Sequence, residues 1–258
     1  MLNPAIPLAL CTLLLAGCQS SSPTGPTLTS AQIKEQTRER AAFETSIKRA
    51  LARAADLANT GDRDGSFNLM IKVDDTNRII GCGTRPGKKI DDRLPAYNPK
   101  LAQELESICW TSVFPALPAS MFDANNKTAR IVAPVVVYPL AGLSAAAREQ
   151  RTAMLQDKAQ NDFLFRQLLA PLPIDSVGVA TLMLMSDSTG QVQECAASLD
   201  PHMLRPLDFK PDDTLLASLV QRCKQLDLST MPGFVPNAKG LTSALHRIEY
   251  TPWKAGLG

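Results

Sequence analysis

Apolar residues recur at every second position from Phe67 through Leu69 and Ile71 to Val73, the period of a strand with one buried face. The same period returns at Leu182 and Leu184, and residues 67–82 lie without a gap over residues 180–195. Each stretch is split by a polar tetrad, Asp74-Asp75-Thr76-Asn77 in the first and Asp187-Ser188-Thr189-Gly190 in the second. Asn and Gly stand where a turn most easily takes a positive φ, so both stretches predict a β-hairpin. The period then lengthens. Leu101, Leu105, Ile108 and Cys109 fall at i, i+4, i+7 and i+8, and Leu215, Leu219 and Cys223 at i, i+4 and i+8. Each set predicts a helix with one apolar stripe, started by Asn98 with Pro99 in the first copy and by Asp212 or Asp213 before Thr214 in the second.

A proline-marked loop and a third apolar strand follow in both copies. Phe114-Pro115-Ala116 precedes residues 131–139, which include Ile131, Val135, Val137 and Tyr138; Met231-Pro232-Gly233 precedes residues 243–250, which include His246, Ile248 and Tyr250. The intervening loops also correspond, Asn125-Asn126-Lys127 against Asn237-Ala238-Lys239. Helical segments over residues 31–58 and 144–169 precede the two hairpins. The expected fold class is therefore α+β, with two tandem repeats of helix-strand-strand-helix-strand at 31–140 and 141–258, each a small antiparallel sheet packed on helices.

The first seventeen residues follow a different rule. Their apolar centre (Ile6, Leu8, Leu10, Leu13, Leu14, Leu15) is too short to span a bilayer and ends in small residues, the shape of a signal peptide, although no Lys or Arg precedes it. Leu15-Ala16-Gly17-Cys18 resembles the lipobox of bacterial lipoproteins. The resemblance implies cleavage before Cys18, lipidation of its thiol and acylation of its amine. Gln19 in place of Asp implies transfer to the outer membrane, with the body facing the periplasm. Residues 18–30, small, polar and containing Pro and Gly, read as a flexible tether, and lipid is expected to be the membrane anchor.

That address changes the meaning of the cysteines. Of six, Cys11 leaves with the signal and Cys18 takes the lipid, which leaves Cys82, Cys109, Cys195 and Cys223. An even number in an oxidising compartment suggests disulfides. Each repeat holds one cysteine at the end of its second strand and one in the last turn of its helix, at intervals of 27 and 28 residues. The economical pairing is Cys82 with Cys109 and Cys195 with Cys223; each bridge would cost the unfolded chain about 3.5 kcal/mol of closure entropy.

A formal charge of +2, with Lys and Arg interspersed among acids, gives no bias toward nucleic acid. The mixed charges of residues 31–58 suggest a solvated helix face. Enzymatic chemistry finds little support. Only two histidines exist, His202 and His246, neither with neighbours at ligand or triad spacing, and both are assigned surface or structural roles. Phosphate-loop, Gly-x-Ser-x-Gly and His-Glu-x-x-His patterns are missing. Asp74-Asp75, Asp91-Asp92 and Asp212-Asp213 suit turns and helix caps better than acid-base work. No catalytic residue, cofactor, metal or small-molecule substrate is expected.

The order strand-turn-strand, helix, Phe-Pro-Ala element and apolar strand resembles the C-terminal domain of TonB and TolA proteins. Members like this chain also carry one cysteine at the end of the second strand and another in the helix. Phe114-Pro115-Ala116 matches more closely than Met231-Pro232-Gly233. The resemblance implies a third strand at a sheet edge that receives a partner's extended peptide. The chain lacks the inner-membrane helix and long spacer of an energy transducer, so the expected function is a static, non-enzymatic adaptor for a protein of an envelope assembly of transport, Tol or secretion type. It would bind by β-augmentation at Ile131, Val135, Val137, Tyr138, His246, Ile248 or Tyr250. Pro134 fits an edge strand but removes a donor, which leaves residues 243–250 the more competent surface. The alternative is a periplasmic inhibitor or immunity-type lipoprotein that occludes a toxin or hydrolase.

Overall fold

Thr29 starts the first helix by a reciprocal cap, its side chain accepting from the Gln32 amide while Gln32 returns a bond to the Thr29 amide. This helix, α1 (Ser30–Ala58), buries Phe43, Ile47, Leu51, Ala54, Ala55 and Ala58 along one stripe, and nothing before Phe43 is buried. The computed structural model describes residues 29–87, 94–235 and 241–254. Cys18 with its apolar run, Asp91-Asp92 and the Asn237-Ala238-Lys239 loop lie outside the described residues. Among those described, no helix is long and apolar enough to cross a membrane.

Strands β1 (Gly65–Asp74) and β2 (Ile79–Pro86) form the first hairpin, α2 spans Pro99–Thr111, and β3 spans Thr128–Val137. The second set is α3 (Ala145–Leu164), β4 (Gly178–Ser186), β5 (Val192–Pro201), α4 (Asp213–Cys223) and β6 (Thr242–Tyr250). Both sheets are antiparallel and three-stranded, ordered β2-β1-β3 and β5-β4-β6, so the fold is α+β as expected. Each hairpin even shifts register at the same place, between Lys72 and Val73 and between Met185 and Ser186.

The tight turns follow from their polar tetrads. Asn77 (φ 60) and Gly190 (φ 94) take the left-handed conformation. Asp74 accepts from the Thr76 and Arg78 amides, and Asp187 from those of Thr189 and Gln191. Hydrogen bonds from Thr189, more than offsetting desolvation, hold the Asp187 carboxyl below the usual carboxylate range. Asn98 and Asp212 cap α2 and α4 through the Leu101 and Leu215 amides. Disulfides join Cys82 to Cys109 and Cys195 to Cys223, tying each second strand to its helix.

The predicted helix over 144–169 ends differently from expectation. Its last turn, Phe165–Leu169, is π-helical, and the Ala170 amide reaches the Phe165 carbonyl at 2.9 Å. The wider turn lets Phe165, Leu168 and Leu169 all reach the second core.

The repeat boundary is not a packing boundary. Trp253 and Val177, from the second repeat, are buried in the core of the first. Beside them Arg205, itself buried, donates to the Asn77 carbonyl at 2.7 Å and the Thr76 carbonyl at 3.3 Å, pairs with Asp208 and lies 5.2 Å over the Trp253 ring. Helix α3 meets α1 through the Arg151–Asp56 ion pair.

Candidate partner-binding edges

Main-chain groups in a strand point alternately to one neighbour and to the other. On β1 the Ser66 amide turns toward the β2 side, donating to Ala96 O. Phe67, Leu69, Ile71 and Val73 therefore bond β3 through Val135, Ala133, Ile131 and Ala129. The outward groups of β3 belong to Thr128, Arg130, Val132, Pro134 and Val136. Proline, with no N–H, falls in this outward set. Thr128 O is already taken by the Asp123 amide at 3.0 Å, and just past the strand Tyr138 O is taken by Asn59 Nδ2 at 2.9 Å.

The equivalent register makes Ser243, Leu245, Arg247 and Glu249 the outward set of β6. Glu249 O accepts from Lys254 Nζ at 3.4 Å, consistent with that direction. The main-chain groups of Ser243, Leu245 and Arg247 bond to no described residue.

The hairpins' second strands, β2 and β5, are edges too, a point the sequence reading did not raise, and each is covered in part. The Thr84 amide donates to Glu106 of α2 at 2.6 Å, Val192 N donates to Leu226 O at 3.1 Å, and each strand is bridged to its helix by a disulfide. Neither β3 nor β6 is bridged to a helix by a disulfide, and among the described residues β6 has the longer run without a proline.

Side-chain placement corrects the expected contact set. Val135, Val137, His246, Ile248 and Tyr250 all point into the cores, because they lie on the buried phase of a period-two strand. Ile131 is half-buried. Their main-chain groups, in the same register, face β1 or β4, so the outward groups of both edges belong to their neighbours in sequence. Tyr138 is 57% exposed, just past the end of β3. On the solvent face of β3 and β6 the exposed large apolar residues are Val132 and Leu245, each directly opposite a methionine, Met70 and Met183.

Both histidines are buried, so a surface role is excluded for each. His202 accepts from the Leu204 amide and sets Nε2 3.5 Å from Glu249, which also faces Arg53 at 3.7 Å. Burial pushes the Glu249 carboxyl up, but the His202 hydrogen bond and charge with the Arg53 and Lys254 charges outweigh it and hold the group below its ordinary value. These residues line a cleft of about 650 Å³ between the repeats, where Lys158 also pairs with Asp162. Lys254 lies 4.2 Å over the Phe165 ring, its ammonium pushed down by burial. Five cations in the cleft (Arg49, Arg53, Lys158, Arg247 and Lys254) outnumber three anions (Asp157, Asp162 and Glu249), and the Arg53–Glu249 pair joins α1 to β6.

His246 has a different setting. Both ring nitrogens are buried without a hydrogen-bond partner among the described residues, as are Ser186 Oγ and Thr242 Oγ1. All three residues line a half-open cleft of about 220 Å³ beneath β6. Burial pushes the imidazole below its ordinary value, with the Asp157 charge opposing. Neither Ser186 nor Thr242 stands out on its own. Laying one repeat over the other finds them, because the matching positions are Val73, Ala129 and, for His246, Ala133. Among the described residues no group of three or more His, Cys, Asp or Glu could hold a metal ion. No protein-family model, curated protein or solved structure matches this chain.

Proposed function

We propose that this chain is a non-enzymatic adaptor, anchored by lipid at Cys18 to the periplasmic face of the outer membrane, that captures an extended segment of a protein partner as a fourth strand on β6. The observation that carries the reading is the asymmetry of the sheet edges: β2 and β5 are each tied to a helix by a disulfide, whereas Ser243, Leu245 and Arg247 turn outward main-chain groups that bond to no described residue. An open ladder is what β-augmentation requires. β3 is the weaker acceptor, because Pro134 removes a donor from the middle of its open side. The resemblance to TonB and TolA C-terminal domains supports the same mode, and the assignment to an envelope assembly of transport, Tol or secretion type rests on that resemblance and on the lipobox.

The test is a proline placed on the outward phase. Leu245→Pro deletes an outward N–H without touching the β4 ladder or the core, since Leu245 is 66% exposed. We expect the variant to keep its circular dichroism spectrum and to lose partner capture in cross-linked envelopes, with Val132→Pro on β3 having the smaller effect. Undiminished capture by folded Leu245→Pro would refute the reading. Ile248→Pro is unsuitable, because Ile248 is fully buried and its amide faces β4. For the anchor, Cys18→Ser should move the protein from the membrane to the soluble envelope fraction.

A further inference from the structure

The cleft beneath β6 departs from the first repeat in a specific way. Where the first repeat fills the inner face with Val73, Ala129 and Ala133, the second places Ser186, Thr242 and His246, in identical register. The fold therefore does not need polar groups there. Ser186 is 1% and His246 5% exposed, and buried donors and acceptors left unpaired destabilise the fold. Three such changes gathered around one cleft are hard to account for as packing. They fit a site whose hydrogen bonds are completed by a ligand.

From this arrangement we infer that the cleft is a specificity pocket for one side chain of the captured strand, a tyrosine. The inference rests on the adaptor reading above. A strand added beside β6 directs every second side chain onto the inner face of the sheet, next to Ala244 and His246, and in β-augmentation such pockets supply specificity while the main chain supplies affinity. At about 220 Å³ the cleft is smaller than a drug-sized site and matches a single large side chain. Leu184, Leu228 and Phe234 give it apolar walls for an aromatic body. The two hydroxyls and the neutral imidazole, which has one donor and one acceptor, ask for an uncharged polar tip. A phenol meets both demands. A phenylalanine would leave the hydroxyls unpaired, and a charged side chain would have to be desolvated in a cleft whose lining holds no carboxylate, Lys or Arg, the Asp157 charge acting on His246 from beyond that lining.

The pocket can be probed without the natural partner, using p-cresol as the tyrosine side chain and toluene as the phenylalanine side chain. In nuclear magnetic resonance titrations of the intact protein, p-cresol should shift the His246 imidazole resonances with millimolar affinity, and toluene should bind at least tenfold more weakly. The control carries the first repeat's residues, Ser186→Val with Thr242→Ala and His246→Ala; it should fold and lose p-cresol binding, read on the methyl resonances of Leu184 and Leu228. Unmoved His246 resonances in the natural protein, equal binding of toluene, or undiminished p-cresol binding by the triple variant would each overturn the pocket. Leu245→Pro separates the two readings. It should still bind p-cresol while losing partner capture, so a failed titration beside a Leu245→Pro-sensitive capture would remove the pocket and leave the adaptor.

Discussion

At the scale of single residues, polarity in an apolar layer is the most informative signal in this chain. His246 is held neutral by burial, whereas in the unfolded chain an imidazole takes a proton as pH falls through about 6.5. Its folded value is depressed, so the unfolded state binds the proton first. The contribution to stability is complete above about 6.5 and declines as pH drops toward the folded value. We expect urea midpoints to fall between pH 7.5 and 5.5, and this slope to flatten in His246→Ala. Gly190 makes a different demand. A Cβ there would lie 2.5 Å from the Ser229 amide nitrogen on a backbone at φ +94. Gly190→Ala should cost about 2 kcal/mol or more, measurable as a lower denaturant midpoint. In the first repeat Asn77 tolerates the same conformation, and its side chain accepts from Leu117 N at 2.7 Å. In the second the bond from Leu228 N goes to the Gly190 carbonyl instead.

At the scale of elements, the strands, helices and their order were legible because period and punctuation agree: two-residue alternation up to an Asp-rich tetrad, then a capped 3.6-residue stripe. The disulfide pairing was legible for the same reason, since both cysteines of each pair sit at the ends of recognisable elements. What the alternation could not reveal is which of two edges is partly covered. That depends on Glu106 reaching the Thr84 amide across 22 residues and on Leu226 meeting Val192, contacts no local pattern encodes. The π-helical end of α3 was equally hidden, because Phe165, Leu168 and Leu169 satisfy an α-helical stripe nearly as well. The bridges carry a prediction of their own. Cys82→Ser with Cys109→Ser should lower stability by about 3–4 kcal/mol, and by loosening β2 from α2 it should speed amide exchange at Thr84 more than on β3.

At the scale of the whole molecule, the two copies are one folding unit. Trp253 fills the first core from the second repeat, and Arg205 clamps the first hairpin turn through main-chain carbonyls. Neither residue has a counterpart signal in the repeat, which is why the boundary expected near residue 140 did not expose the interface. Trp253→Ala should cost about 3–5 kcal/mol and raise amide exchange in β1 and α2, far away in sequence. An effect confined to β4 and β6 would contradict this coupling. The same tryptophan sets a timetable. A chain leaves the ribosome from its N-terminal end, so the first repeat emerges before the side chain that completes its core, which lies far downstream of β3. Until then its core has an open wall, an apolar surface through which an unfinished copy can meet another.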